Sequence, residues 1–353
     1  MSEKECMRRL KILYFSTHEP LEYDDIKLFQ SMGHSVFSTG KFNPAEAQKT
    51  HFRPPIKYGD DVQELVEAYH HHGCSTPFTD LGNTILTEDF LNLFDLVICI
   101  QDVSFIAKFW HMMKQPTVVW RTVGQAIEHF DAIIAPFRDK GMKIVRWSER
   151  EKFANTYIGH DAIIRAYKNP DEYGPWEGNI GKIVTFSSHF AQRYPIELGW
   201  MQRTCRLLDY GIGGPGNEDV PNALGMLSLS DMQNTLKSAA AYYYCHGSVV
   251  PYTLNFIEAW MTGIPVVAAS RNVEIINIDM RFNEVNDFIV NMQNGILYSS
   301  EREARSLLME LLVDKSFARS VGNHGRQTAI RLFGKAQLAL ARYGLNLSEW
   351  VAF

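Results

Sequence analysis

The sequence has no long apolar run, no basic excess and no closely spaced cysteine pair, and each absence excludes a class of protein. No stretch approaches the roughly 20 apolar residues of a membrane-spanning helix. The run Ile12–Phe15 is too short for a signal peptide, so we expect a cytoplasmic protein. The formal net charge is −5, whereas duplex-DNA binders usually carry a basic excess. Nucleic acid is therefore a disfavoured partner.

The cysteines and histidines predict neither disulfides nor a metal site. The five cysteines show no CxxC spacing. They are Cys6, Cys74, Cys99, Cys205 and Cys245. Several lie in apolar runs such as Leu96–Cys99, which is typical of reduced core thiols. His70, His71 and His72 are consecutive, so a helix would point them in different directions. We expect no metal site from these residues.

The chain is long enough for two α/β cores, having 353 residues of which 46% are hydrophobic. A strand at Lys11–Phe15, a helix from Asp24 to Gly33 and a strand at His34–Phe37 form a βαβ pattern. Further strands are predicted in this half at Leu96–Ile100, Thr117–Trp120 and Met142–Trp147. These runs are apolar throughout, which favours parallel strands covered on both faces. Residues 41–87 give no clear pattern.

The composition changes between Lys168 and Gly181, where two prolines and several turn formers indicate a linker. A second alternating series follows it. Its predicted strands are Lys182–Phe186, Arg206–Tyr210, Ala241–Cys245, Pro265–Ala268 and Gly295–Tyr298, and its predicted helices are Ile196–Cys205, Leu229–Ser238, Leu254–Thr262 and Ser300–Leu312. The prediction is an α/β chain of two tandem Rossmann-like, doubly wound domains that face each other across a cleft.

The domain bounds follow from the linker. The first domain is predicted at residues 1–175 and the second at 176–340. We expect residues 341–353 to pack back on the first domain. Because ligands bind outside the carboxyl ends of parallel strands, the loops at those ends matter most.

The most informative stretch is residues 246–268, where a strand, a loop, a helix and a buried strand follow one another. Backbone N–H groups of Thr253, Leu254 and Asn255 lie at the predicted helix start, which is a natural seat for a diphosphate. Glu258 follows about one turn later, where a carboxylate can accept two hydrogen bonds from a ribose diol. The alternative is a solvated helix glutamate. Burial of Glu258 in a core ion pair would contradict the ribose role.

Several segments of the second half resemble a known family. Glu258-Ala259 followed by Gly263-Ile-Pro-Val-Val267 is similar to the EAMAxGxPVV signature of family-4-type retaining glycosyltransferases, which have the GT-B fold. Further segments that resemble this family are Gly225–Ser228, Asp231–Ala240, Asn294–Leu297 and Gly325–Phe333. The resemblance covers most of 182–347. It implies a hexosyl or pentosyl transferase that uses a nucleotide sugar, such as a UDP-, GDP- or ADP-sugar, as its co-substrate.

The resemblance also implies roles for residues. Glu258 would bind the ribose and Arg193 would neutralise charge on the leaving diphosphate, so both are catalytic candidates. The predicted donor-binding residues are Ser187, Arg193, Gly213, Gly214, Leu227, Tyr252, Thr253, Leu254, Asn255 and Glu258. In the retaining family the leaving phosphate accepts the acceptor's proton, so no protein base is needed. Fixed N–H dipoles and an arginine can stabilise the departing diphosphate without a metal, and the nucleotide sugar is the co-substrate, so no further cofactor is expected.

The sequence departs from the family pattern at three places. Val250 stands where the family often has a second glutamate near the donor sugar. The loop Ser187–Arg193 keeps an arginine for the diphosphate but lacks the family's lysine. Ser16–Glu22 is not the glycine-rich acceptor loop. These departures bear on the identity of the donor sugar and on activity itself.

Gly211–Gly216 matches the G-x-G-x-x-G pattern after a predicted strand. A dinucleotide site requires a helix to begin there, whereas Pro215 and residues 217–221 predict a loop. We interpret the segment as a loop that borders the nucleotide base, or as a turn without ligand contact.

Four residues of the first domain are candidates for the acceptor side. His18 and Glu22 lie in the loop after the first strand and contact either the acceptor or solvent. Arg121 ends a predicted strand and binds acceptor or phosphate, or forms a structural ion pair. Asp102 would be the catalytic base if the enzyme inverts configuration, and its alternative role is a helix N-cap.

Three other functions remain open. One is an inverting transferase acting on a modified DNA base, as in phage enzymes of the same fold. The second is a sugar-nucleotide epimerase of the same architecture. The third is a non-catalytic GT-B subunit that only binds. The acceptor, the sugar and the oligomeric state have no signature in the sequence.

Overall fold

The computed structural model describes residues 9–16, 18–77, 81–245, 250–274 and 280–334. The chain divides into two compact units, and the boundary between them falls between Tyr167 and Lys168. No helix within these described ranges is both long enough and apolar enough to cross a membrane. The four cysteines they contain, Cys74, Cys99, Cys205 and Cys245, are buried free thiols, whereas Cys6 lies outside the described residues.

The first unit is built on a six-stranded parallel sheet with the order β2-β1-β3-β4-β5-β6. Its strands are β1 (Lys11–Ser16), β2 (Ser35–Ser38), β3 (Leu96–Ile100), β4 (Thr117–Arg121), β5 (Lys143–Arg146) and β6 (Ala162–Ile163). Its helices are α1 (Glu19–Ser31), α2 (Asp60–His71), α3 (Glu88–Leu91), α4 (Val103–Phe109) and α5 (Ile127–Arg138). Every residue of β3 is buried, as its apolar run predicts.

The second unit repeats this plan, with a six-stranded parallel sheet in the order β12-β11-β10-β7-β8-β9. Its strands are β7 (Ile180–Phe186), β8 (Tyr210–Gly213), β9 (Ala223–Gly225), β10 (Ala239–Tyr244), β11 (Val266–Ala269) and β12 (Ile296–Tyr298). Its helices are α6 (Phe190–Arg193), α7 (Pro195–Thr204), α8 (Leu229–Ser238), α9 (Leu254–Thr262), α10 (Val285–Phe288), α11 (Glu301–Val313) and α12 (Lys315–Ala329), and a π-helical turn follows at Ile330–Gly334. The predicted class, two Rossmann-like α/β units in tandem, is confirmed.

Two elements, α1 and β8, begin more than two residues from their predicted starts, for local reasons. α1 begins at Glu19, not Asp24, because His18 caps it and a proline occupies its first turn. β8 begins at Tyr210, where the predicted strand was to end. The residues before it form a turn that leaves Leu207 77% exposed.

The segment that the sequence marks as a linker packs on the second unit. Tyr173 and Trp176 are buried, and the Trp176 indole N–H donates to the carbonyl of Ala239 at 2.7 Å. The backbone N–H of Lys168 donates to the carbonyl of Phe333 at 3.0 Å. The second unit therefore begins at Lys168, before the predicted boundary at residue 176. The predicted C-terminal segment 341–353 lies outside the described residues.

Candidate functional site

In each sheet there is one point at which the chain stops adding strands on one side and continues on the other side. In the first unit the chain runs from β1 to β2 on one side and then crosses to β3 on the other. In the second unit it runs from β7 to β8 and β9 and then crosses to β10 on the other side. In open α/β sheets ligands bind outside the carboxyl ends of the strands at such a reversal. We call these places the first-unit crevice, after β1 and β3, and the second-unit crevice, after β7 and β10.

The second-unit crevice is bordered by the start of α9. Thr253 caps this helix, and its hydroxyl accepts the N–H of Phe256 at 3.2 Å. The side-chain amide of Asn255 donates to the carbonyl of Phe186, the last residue of β7, at 3.2 Å. The N–H groups of Leu254 and Asn255 lie in the first helical turn, which has no intrahelical acceptors. The predicted diphosphate seat therefore lies beside the end of β7, and residues 246–249 of the preceding loop lie outside the described residues.

The loop after β7 is held by a buried asparagine of the loop after β8. The amide nitrogen of Asn217 donates to the carbonyl of Ser187 at 2.6 Å, and its oxygen accepts the N–H of Phe190 at 2.8 Å. The N–H of His189 donates to the carbonyl of Pro215 at 2.8 Å. Asn217 is 0% exposed. These bonds satisfy the loop's backbone groups within the protein and fix its conformation before a ligand arrives.

The glycines of the G-x-G-x-x-G match are explained by this packing. A Cβ at Gly213 would lie 2.4 Å from the ring of Phe186, and one at Gly216 would lie 2.1 Å from Nδ1 of His189. Gly214 has φ +122°, and its Cβ would lie 2.5 Å from a backbone oxygen of the loop after β7. No helix begins here; the next is α8. The glycines let two loops approach each other, so a dinucleotide-binding site is not needed to explain the G-x-G-x-x-G match.

The structure brings most predicted donor residues to this crevice or its border, namely Ser187, Gly213, Gly214, Leu227, Thr253, Leu254 and Asn255. Tyr252 is buried instead in an aromatic cluster, with ring centroids 5.9 Å from Phe288 and 5.5 Å from Phe333. Arg193 is exposed at the end of α6, and its guanidinium lies 5.2 Å from the ring centroid of Tyr194.

Glu258 occupies a buried ion pair. Its carboxylate lies 2.6 Å from the ammonium nitrogen of Lys168, and both side chains are 1% exposed. The hydroxyl of Tyr173 also donates to it, at 3.3 Å. This is the arrangement that argues against a ribose contact, because the diol would have to displace a charged partner. The ribose role of Glu258 stays a prediction. Lys168 lies in the segment that the sequence marks as a linker, and no local sequence pattern indicates that it pairs with Glu258.

The first-unit crevice is bordered by two helix caps. The registers of β1 and β3 pair Ser16 with Ile100, so the residues that follow these strands are neighbours. His18 caps α1. Asp102 caps α4, and one of its oxygens accepts a backbone N–H at 2.9 Å. Gln101, between β3 and that cap, has φ +61°. His18 and Asp102 are both partly exposed, so the structure brings these two acceptor-side candidates to one crevice.

Glu22 and Arg121 lie inside the first unit. Arg121 is 1% exposed and ion-paired with Asp25, which also accepts the hydroxyl of Tyr14 at 2.6 Å. Glu22 is 0% exposed and accepts the hydroxyl of Ser38 at 2.5 Å. Burial raises the pKa of Glu22 to about 7. Arg121 therefore makes the structural ion pair that was its alternative role, and Glu22 is held by protein groups rather than by solvent.

Comparison with known proteins shows the fold. No protein-family model matches the chain, and no curated protein matches it. HepE of Anabaena, solved in complex with UDP and glucose, is similar over 96% of this chain and 100% of that chain, with 12% identity and a TM-score of 0.63. A glycosyltransferase from Rickettsia africae is similar over 98% and 99%, with 15% identity and a TM-score of 0.62. The likeness extends over both units, and the fold is the GT-B fold of two Rossmann-like units.

Proposed function

We propose that the protein transfers a sugar from a nucleoside diphosphate sugar to an acceptor. The observation that carries this proposal is the second-unit crevice, where the start of α9 lies beside the end of β7. The crevice belongs to a fold that is shared, over 96% of the chain, with a protein solved with UDP and glucose bound. The family-4-type resemblance of the second half supports the same function.

The chemistry proposed for the crevice is electrostatic. A helix start presents N–H groups and the positive end of the helix dipole, which favour a diphosphate. The α9 start supplies these groups, and exposed Arg193 is the proposed cation for the leaving diphosphate. Fixed dipoles and an arginine stabilise the charge that develops on the leaving group. We therefore propose a reaction that does not depend on a metal ion.

We further propose that the anomeric configuration is retained, as the resemblance implies. In that case the leaving phosphate takes the acceptor's proton. The inverting alternative needs a protein base, and the first-unit crevice offers His18 and Asp102. One oxygen of Asp102 is already used as a helix cap. The anomeric configuration of the product, read by NMR, distinguishes the two reactions.

The test is titration of the purified protein with UDP, GDP and ADP by calorimetry. We expect one of them to bind, and Asn255→Ala to weaken that binding because the α9 start loses its link to β7. The matched control is Asn234→Ala, an exposed asparagine of α8, which should bind as wild type does. Absence of binding by the folded wild-type protein to all three nucleotides would contradict the proposal.

The rival is a non-catalytic binding subunit, which two observations favour. Lys168 already engages the carboxylate of Glu258, and Val250 replaces the family's second glutamate. A screen for slow hydrolysis of nucleotide sugars separates the two functions. A transferase releases free sugar and nucleotide, whereas a pure binder leaves the nucleotide sugar intact.

A further inference from the structure

One histidine of the second-unit crevice has an uncommon backbone conformation. His189 has φ +51°, in the left-handed region that non-glycine residues rarely occupy. It follows β7 and immediately precedes α6, at the edge where the sheet reverses. Such conformations persist only where the surrounding structure determines them, and they cluster at functional positions.

The surroundings that hold His189 are the turn Pro215–Asn217. Its N–H donates to the carbonyl of Pro215 at 2.8 Å, and Asn217 accepts the N–H of the next residue at 2.8 Å. The atoms of the imidazole nearest to the Cβ position of Gly216 are Nδ1, Cε1 and Cγ, at 2.1–2.7 Å. The Nδ1 edge of the ring therefore rests on the glycine, and Nε2 lies on the opposite edge.

The side chain of His189 is nevertheless exposed. The turn Pro215–Asn217 fixes its backbone and contacts one edge of its ring, yet the imidazole is open to solvent at the edge of the sheet where ligands bind in open α/β folds. Arg193 lies four residues later, and its N–H donates to the carbonyl of His189 at 2.9 Å. The loop that lacks the family's lysine thus carries two basic side chains.

We propose that the imidazole of His189, seated on Gly216, donates a hydrogen bond to the diphosphate of the nucleotide sugar. The proposal rests on the proposed function and names the residue that takes the place of the missing lysine. It also assigns a purpose to the G-x-G-x-x-G match: Gly216 provides the space in which the ring is held.

The test is calorimetry with the nucleoside diphosphate that the wild-type protein binds, among UDP, GDP and ADP, and with the corresponding nucleoside. We expect His189→Ala to weaken diphosphate binding about tenfold, the effect of one hydrogen bond to a charged group. Nucleoside binding should stay within about twofold of wild type, because the nucleoside offers no phosphate. His189→Gln, which keeps an N–H donor, should recover part of the loss.

Gly216→Ala provides an independent test, because its new Cβ displaces the ring. It should weaken diphosphate binding in the wild-type background and add little in the His189→Ala background, since the two changes remove the same contact. His70→Ala, which removes an exposed imidazole of α2 in the first unit, is the matched control.

The outcomes separate this proposal from the proposed function. If the wild-type protein binds no nucleoside diphosphate, both are wrong. If it binds one and folded His189→Ala binds that nucleotide equally well, the role of His189 is wrong and the proposed function stands. An equal loss of nucleoside and diphosphate binding would show that His189 only supports the fold, and would also overturn its role.

Discussion

The buried pair of Lys168 and Glu258 shows how one contact ties distant parts of the second unit together. The two residues are 90 positions apart in the chain and both are 1% exposed. Removing two charges from water costs several kcal/mol each, and their attraction offsets that cost only while both partners are present. The pair joins the first residue of the unit to the middle of α9.

Glu258→Gln should therefore lower the free energy of unfolding by about 3 kcal/mol, because it leaves the Lys168 ammonium buried without a counter-charge. Urea unfolding measures the change. Glu177→Gln removes the partner of exposed Lys237 and should cost less than about 1 kcal/mol. Equal stability of Glu258→Gln and wild type would show that the pair does not form in solution.

The same variant tests the ribose prediction. If the carboxylate of Glu258 serves mainly Lys168, folded Glu258→Gln should bind the nucleoside diphosphate nearly as wild type does. A large loss of affinity at unchanged protein stability would instead support the ribose contact that the resemblance implies.

The carboxyl of Glu22 predicts a dependence of stability on pH. Its pKa is raised from 4.5 to about 7 by burial, so the folded state holds a proton that the unfolded state has released. This stabilisation is fully present below pH about 4.5 and is lost as the pH rises through about 7. In that window Glu22→Gln should reduce the slope of unfolding free energy against pH by up to about 1.4 kcal/mol per pH unit.

Urea unfolding of wild type and variant at several pH values measures the slope. Some slope should remain in the variant, because burial also raises the pKa of Glu151 to about 7. Identical slopes for the two proteins would contradict the prediction for Glu22.

At the scale of elements, local signals decide what the sequence predicts. α9 lies at its predicted bounds because a threonine cap and Gly263, with φ +87°, mark its ends. β8 was misplaced because Gly211 and Gly213 are poor strand formers that are selected for close packing. The linker segment is rich in prolines and glycines, as a linker would be. It nevertheless packs on the second unit, because Tyr173 and Trp176 are buried there.

In the candidate site too, local features were predictable from the sequence and long-range contacts were not. Strand ends and a helix start located the second-unit crevice, because both are local features. The burial of Glu258 was not predictable, since its partner Lys168 is remote in the chain. The hold of Asn217 on the loop after β7 is likewise a contact between residues 30 positions apart.

Asn217→Ala should loosen the loop after β7. It leaves the Ser187 carbonyl and the Phe190 N–H without their partner, and each unsatisfied buried group costs about 1–3 kcal/mol. We expect lower stability and faster amide hydrogen exchange in residues 187–190. Asn179→Ala, at an exposed position, is the control, and unchanged exchange in the loop would show that Asn217 does not hold it.

At the scale of the whole molecule, each sheet has its own crevice, and only the second is proposed to bind the nucleotide. Nucleotide at 100 times its Kd should stabilise the fold that it binds by about 2.7 kcal/mol. Hydrogen exchange should therefore slow on nucleotide addition around residues 187–190 and 254–256 of the second unit. Slowing confined to the first-unit crevice, near His18 and Asp102, would assign the nucleotide to the other unit.

The bond between the Lys168 N–H and the Phe333 carbonyl, 3.0 Å long, places the chain's entry into the second unit beside its exit. A segment whose two ends are adjacent in space can be handled as a self-contained unit. We expect such a segment to tolerate circular permutation or insertion into another scaffold, because its two ends are adjacent. Exchange of residues 168–334 between chains of this architecture would therefore replace the unit that is proposed to bind the nucleotide and leave the first unit unchanged.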